Sequence, residues 1–207
     1  MSVGRLHVIT DTRPGRPTVE VVRAALSAGA PVVQVRAKQA GDRELFDLAC
    51  RVVDLCRASG AQCLVDDRTD IALAAAAAGA HLGAQDLPVH AARRIVGPAF
   101  VLGATARDPA GARELVAQGA TYLGVGPAHL TNTKAGLPEP LGPAGVGAVA
   151  GAVTVPVIAI GGVTADRVPA LVAAGAHGVA VVTEVSDAAD PAAAVSALLR
   201  ALGDGAA

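Results

Sequence analysis

The chain has 207 residues, enough for one domain with a full hydrophobic core, and a formal net charge of -1. That balance gives no reason to expect nucleic acid or an anionic membrane surface as partner. With one Tyr, two Phe and no Trp there is also no aromatic platform for stacking bases.

Apolar runs and helical segments alternate along the chain. Leu6 to Thr10 reads as a first strand ending at Asp11-Thr12, and Thr18 to Gly29 as its helix, with Thr18 as cap and Gly29 as stop. Pro31 to Val35 is a second strand, followed by a helix from Asp42 to Ser59. Gln62 to Val65 then leads to a helix over Thr69 to Ala78, and Ala80 to Leu82 to one over Val89 to Val96. Ala99 to Leu102 precedes a helix over Pro109 to Gln118, and Thr121 to Val125 precedes a long loop and a helix over Ala144 to Ala150. The run from Val155 to Val163 is wholly apolar and rich in β-branched residues up to Gly161-Gly162, as a strand buried on both faces requires. A helix start at Thr164-Ala165-Asp166 follows it. Gly178 to Thr183 is a similar run, and Pro191 to Leu202 closes the chain as a helix, with residues 203–207 expected to fray.

These are eight strand–helix units of roughly 26 residues each, which fits a single-domain (β/α)8 TIM barrel spanning 1–207. The competing architecture is a doubly wound open sheet, but the glycine-rich signals come late in the chain, not after the first strand. Gly-Ala at Gly29, Gly79, Gly119 and Gly175 recurs before strands and reads each time as a helix stop.

Strand C-terminal ends face the active site in such a barrel, so they can be read in turn. Alternation places Gln34, Arg36 and Lys38 on one side of the second strand's end, an amide and two cations suited to a diphosphate. The third strand ends Asp66-Asp67-Arg68, and the fourth runs into Gln85-Asp86. Asp67 and Asp86 together suit Mg2+, a hard cation that takes a few carboxylates plus water and substrate phosphates. The plainer alternative pairs Asp67 with Arg68 and leaves Asp70 or Asp86 as helix caps. Thr105 offers a hydroxyl after the fifth strand, and Thr131-Asn132-Thr133-Lys134 in the long loop can cradle a phosphate. Gly161-Gly162 and the hydroxyl of Thr183 form a second phosphate position, since glycine lets backbone N–H groups approach an anion closely. His81 and His177 fall at strand starts, away from this face, and of the five histidines only His129 is placed to matter. There is no serine-nucleophile elbow, Walker loop or dinucleotide fingerprint.

Three cysteines, Cys50, Cys56 and Cys63, lack metal-ligand or redox spacing, and unpatterned thiols suit a reducing compartment. No secretion-signal pattern is visible, and the most apolar window, Ile71 to Ala80, is too short to span a bilayer. The expectation is a soluble cytoplasmic protein acting on small molecules. The sequence leaves open whether it forms a homo-oligomer.

The segments LHVITD, QVRAK, VDDRTDIAL, HLGAQDLP, TNTK, VIAIGGV and GAHGVAVVT, in this order, resemble the thiamine-phosphate synthase family over nearly the whole chain. The resemblance implies a transferase that displaces diphosphate from 4-amino-2-methyl-5-(diphosphooxymethyl)pyrimidine with the ring nitrogen of a thiazole phosphate. It implies that Gln34, Arg36 and Lys38 hold the pyrimidine diphosphate and that Lys134 reaches the same group. Asp67 and Asp86 then bind Mg2+, and Thr105 stands where the family usually has a serine contacting the pyrimidine. Thr131, Thr133, Gly162, Val182 and Thr183 hold the thiazole phosphate. Two positions depart from the pattern: Asp66 stands where an Asn that contacts the pyrimidine is typical, and Ala84 where Gln is common. The related thiazole tautomerase is the nearest rival, but the histidine expected after the fifth strand for its proton shuttle is Arg107. A non-catalytic phosphate-binding barrel is the third reading.

Overall fold

Eight parallel strands close into a barrel in chain order, each hydrogen-bonded to its sequence neighbours and the last to the first. The computed structural model describes residues 3–12, 18–131, 136 and 138–204. The strands are β1 (Leu6–Ile9), β2 (Val32–Val35), β3 (Gln62–Asp66), β4 (Gly79–Leu82), β5 (Val101–Ala106), β6 (Tyr122–Val125), β7 (Val157–Ile160) and β8 (Gly178–Val181). The helices between and after them are α1 (Thr18–Ser27), α2 (Asp42–Ala58), α3 (Thr69–Ala74), α4 (Val89–Val96), α5 (Pro109–Ala117), α6 (Gly142–Ala150), α7 (Val168–Ala173), α8 (Thr183–Ser186) and α9 (Pro191–Leu202). Among the described residues no helix is long and apolar enough to cross a membrane.

The strands are short and β-branched because both faces are buried. Outward residues such as Leu6, Val8, Val33, Val35, Leu123 and Val179 pack under the helices in the larger core. Inward residues fill the barrel itself in a separate cluster that includes Ile9, Val32, Leu64, Val101, Tyr122, Ile158 and Ala180. Helix starts follow ordinary rules. Asp108 accepts from the backbone N–H of Ala110 and Gly111 ahead of Pro109, and Asp190 accepts from Ala193 ahead of Pro191.

Several expected boundaries move for identifiable reasons. The third helix ends at Ala74 instead of Ala78, because Ala76 turns left-handed at φ 53° and carries the stop. Gly29, Gly119 and Gly175 are indeed left-handed helix stops, but Gly79 lies inside β4, where a Cβ would overlap the Val101 carbonyl. The fifth strand runs over Val101–Ala106, later than expected, with Gly103 in its middle. The seventh strand is only Val157–Ile160, and its helix starts at Val168, after a turn in which Arg167 N–H donates to Thr164. Thr183 opens the short helix α8 instead of ending β8.

The expected fraying at 203–207 does not hold for its first two residues. Gly203 is a left-handed C-cap, and Asp204 pairs with Arg5 at 2.5 Å. Arg5 also donates to the carbonyls of His177 and Leu202, so this cation stitches the chain's two ends under the barrel. Residues 205–207 lie outside the described residues.

Candidate active site at the strand ends

The C-terminal ends of β2, β3 and β4 build one charged network. Just past β2, the Arg36 backbone is clamped by the buried Thr10 of β1's end. The Arg36 N–H donates to Thr10 Oγ1 at 2.9 Å, and that hydroxyl donates back to the Arg36 carbonyl at 3.1 Å. A buried side chain therefore fixes where this half-buried cation starts. Gln34 points into the barrel and donates its amide to Asp66 Oδ1 at 2.9 Å. The other Asp66 oxygen faces two cations, Arg36 Nε and Lys38 Nζ, each at 3.4 Å. Lys38 also pairs with Asp67, and these carboxylates hold its ammonium pKa up against the effect of burial.

The chain turns sharply after Asp66. Asp67 sits in the left-handed region at φ 61°, a conformation Asp and Asn tolerate better than other side chains. Its N–H donates to the His81 carbonyl at 2.8 Å, which ties the turn to β4. On β4's far side, Asp86 folds back so that its Oδ2 accepts from the Gly83 N–H at 2.6 Å. Asp67 and Asp86 are thereby brought within hydrogen-bonding reach of each other, and burial together with this carboxylate neighbour raises the Asp86 pKa. Arg68, the alternative partner for Asp67, turns away to Asp70 and Asp42. Asp70 serves that surface pair, and Asp86 braces its own turn.

Asp66 is the departure worth testing in isolation. Burial raises its pKa, with Lys38 and Arg36 pulling the other way. The folded state thus binds this proton more readily than the unfolded chain, so stability falls as pH rises from the ordinary carboxylate range through the raised value. Asp66→Asn removes that cost while keeping an oxygen for Gln34. We expect its melting temperature to exceed wild type at neutral pH, with the gain shrinking on acidification. A lower melting temperature at neutral pH would mean that the attraction to Arg36 and Lys38 outweighs desolvation.

The remaining predicted residues lie around the same rim. Thr105 is on β5, and its Oγ1 is 3.0 Å from His81 Nε2. Gly161 and Gly162 are left-handed at φ 93° and 61°. A Cβ on Gly162 would overlap the Leu130 carbonyl and come within 2.9 Å of His129 Cβ, so this glycine lets the loop carrying Thr131 close onto β7's end. Arg167 donates to the Gly162 carbonyl at 2.5 Å and steadies the turn. Val182 caps α8 and Thr183 begins it, next to Ser186, which donates to Asp11 at 3.2 Å. Thr133 and Lys134 lie outside the described residues. His129 packs into the same turn: its backbone N–H donates to Gly161, while its ring Nε2 is buried with no hydrogen-bond partner among the described residues. Burial and Arg167 lower its pKa.

One expectation is overturned. His81 is an inward residue of β4, not a structural residue away from the catalytic face. Its ring nitrogens are each 3.0 Å from a hydroxyl, Tyr122 Oη and Thr105 Oγ1. Pairing with Asp66 in register brings it beneath the charged rim. His177 does lie at the opposite end, against the Val3 carbonyl. Thr10, His81 and Tyr122 escaped the sequence reading because inward register alone reveals them. Alternation could have flagged His81 once β4 was extended to Gly79.

What this rim can do chemically is bind anions and a hard cation. Arg36 and Lys38 offer donors to phosphate oxygens, and Asp67 with Asp86 form a hard-oxygen pair. Two carboxylates this close suit a divalent cation between them. No larger cluster of His, Cys, Asp or Glu arranged to hold a metal occurs among the described residues. After β5, where a tautomerase shuttle histidine would stand, Arg107 donates to the carbonyls of Gly126 and Glu139 and straps down the long loop.

Comparison with known proteins identifies the family. The family model described as thiamine monophosphate synthase matches residues 6–185. A thiamine-phosphate synthase of Salinispora tropica is 61% identical over 97% of this chain and 98% of its own length. One from Moorella thermoacetica is 43% identical over 93% of both chains. Among solved structures, a thiamine phosphate pyrophosphorylase from Pyrococcus furiosus superposes with a TM-score of 0.89 at 36% identity, covering 97% of this chain and 96% of that one. The barrel, its charged rim and these matches together show that the chain belongs to the thiamine monophosphate synthase family.

Proposed function

We propose that this transferase joins a pyrimidine and a thiazole phosphate to give thiamine phosphate and diphosphate, with Mg2+ required. The observation that carries this reading is the joined cluster of Arg36, Lys38, Asp66, Asp67 and Asp86 at the mouth of a barrel of this family. The substrate's diphosphate lies against Arg36 and Lys38, with Lys134 as the third cation. Asp67 and Asp86 are the residues that would hold Mg2+. When bound, the cation supplies Lewis-acid stabilisation of the departing diphosphate's charge. Arg36 and Lys38 serve the same end, since they are already in place as negative charge develops on the leaving group.

The C–O bond from the pyrimidine methylene to diphosphate breaks with its electron pair leaving on oxygen. The aminopyrimidine ring delocalises the resulting positive charge, so no protein nucleophile is needed. The thiazole nitrogen then forms the new C–N bond. Holding the thiazole by its phosphate, at Gly162, Val182, Thr183, Thr131 and Thr133, aims that nitrogen at the methylene. The Arg107 strap speaks against the tautomerase, because this position braces a loop and has no ring nitrogen to shuttle protons.

The test is a product assay with purified protein, both phosphorylated precursors and Mg2+. Thiamine phosphate and diphosphate should appear in equal amounts, cease with EDTA and resume on adding Mg2+. Product formation that persists in EDTA removes the metal from the reading. Interconversion of thiazole isomers without thiamine phosphate replaces it with the tautomerase.

A further inference from the structure

The barrel interior is mostly apolar, yet one polar chain runs up through it to the site. In register, His81 of β4 pairs with Gly103 of β5, and Gly103 pairs with Tyr122 of β6. Gly103 has no side chain, so residues two strands apart can meet across it, and a Cβ there would overlap the Tyr122 ring. Gly124, opposite Thr105, makes similar room: its Cβ would lie 2.9 Å from His81 Cε1. Two glycines thus frame a slot in which His81 Nδ1 is 3.0 Å from Tyr122 Oη and His81 Nε2 is 3.0 Å from Thr105 Oγ1. Below, His7 meets the Tyr122 ring edge-on at 5.3 Å, with its own Nε2 hydrogen-bonded to the Gly4 carbonyl.

Direction in this chain follows from donor counting. A doubly protonated His81 ring would leave the buried Tyr122 phenol hydrogen facing another donor, so the hydrogen-bond geometry requires the neutral imidazole. A neutral imidazole has one donor and one acceptor. The buried phenol has one hydrogen, and His81 Nδ1 is the acceptor within reach among the described residues. If Nδ1 carried the proton instead, the phenol hydrogen would be stranded in the barrel, at the full desolvation cost of that group. Tyr122 therefore donates to Nδ1, and Nε2–H donates to Thr105 Oγ1. Thr105 then accepts from below, which leaves its own hydrogen to be donated elsewhere.

We propose that Tyr122 and His81 form a relay that fixes the Thr105 hydroxyl as a hydrogen-bond donor toward an acceptor atom of the bound pyrimidine. Both are positioning residues, acting through Thr105. This rests on the synthase reading for the ligand's identity, while the direction of the relay does not. Without Tyr122 Oη, the imidazole is free to adopt the other tautomer, and its bare Nε2 can capture the Thr105 hydrogen that the substrate needs.

Two measurements test it. Nitrogen-15 NMR of the wild-type imidazoles should show His81 protonated at Nε2, and Tyr122→Phe should shift it toward the Nδ1-protonated form. In steady-state kinetics, Tyr122→Phe should raise KM for the pyrimidine diphosphate about tenfold, the scale of one lost substrate hydrogen bond, and leave KM for the thiazole phosphate unchanged. Thr105→Val should have a similar effect, the double variant should add little to either single, and Thr105→Ser should retain wild-type KM. Tyr122→Phe keeps the ring in its slot, so a single cooperative unfolding transition, lowered by no more than the loss of one buried hydrogen bond, guards against misfolding. An Nδ1-protonated His81 in wild type, additive effects, or an equal rise in both KM values would overturn the relay. Wild-type protein that makes no thiamine phosphate would instead overturn the synthase reading, and the NMR result would still decide the relay's direction.

Discussion

Replacing Asp67 with Asn is expected to lower turnover with saturating substrates and Mg2+ about 100- to 1000-fold, the scale of losing one preorganised electrostatic group at a developing charge. The variant isolates charge from backbone. Asp67 is left-handed at φ 61°, and Asn is among the side-chain-bearing residues that best tolerate that conformation, so the turn survives. Lys38 keeps Asp66 as a partner, and Asp86 loses the carboxylate that raised its proton affinity. Thermal unfolding without metal should therefore match wild type, while calorimetric titration shows weakened Mg2+ binding. Asp67→Ala should lose the same activity and also melt lower, because an ordinary L residue in this region costs about 1–2 kcal/mol. Full activity in Asp67→Asn with an unchanged Mg2+ requirement would remove Asp67 from the metal site.

Gly103→Ala should lower stability. The new methyl overlaps ring atoms of Tyr122, which is held between His7 and His81 inside the barrel and has little room to retreat. Overpacking of this kind costs about 1–3 kcal/mol. In a chain of this size each kcal/mol lowers the melting temperature by about 2–4 °C. Tyr122→Phe should not rescue the variant, since the ring carbons remain. A smaller aliphatic residue at position 122 should recover part of the loss, as expected for a coupled pair. A melting temperature equal to wild type would show that the ring is free to move. The slot would then not hold the relay rigidly either.

The positions of Arg36, Lys38, Asp67 and Asp86 at one rim were legible because strand ends in a regular barrel converge on one face. Gln34, by contrast, lay on the predicted side but turned inward to support Asp66, a partnership set by the β2–β3 register. Periodicity placed the α4 and α9 helices residue for residue, since Val89–Val96 and Pro191–Leu202 carry unambiguous apolar faces and stops. It misplaced the third helix's end and the fifth strand, where a left-handed Ala76 and an in-strand Gly103 break the usual association of glycine with turns.

What the sequence determined by itself, then, was the alternation of strand and helix, the barrel, and the local clusters of charge, all encoded by neighbours within a few residues. Only the tertiary structure decided who partners whom. Lys38 went to Asp66 and Asp67, Arg68 to Asp42 and Asp70, and Arg5 to Asp204. His81, dismissed from its place in the sequence, proved to be the link between Tyr122 and Thr105. Those pairings depend on strand register and on the space left by two missing side chains, and neither is fixed by any local run of residues.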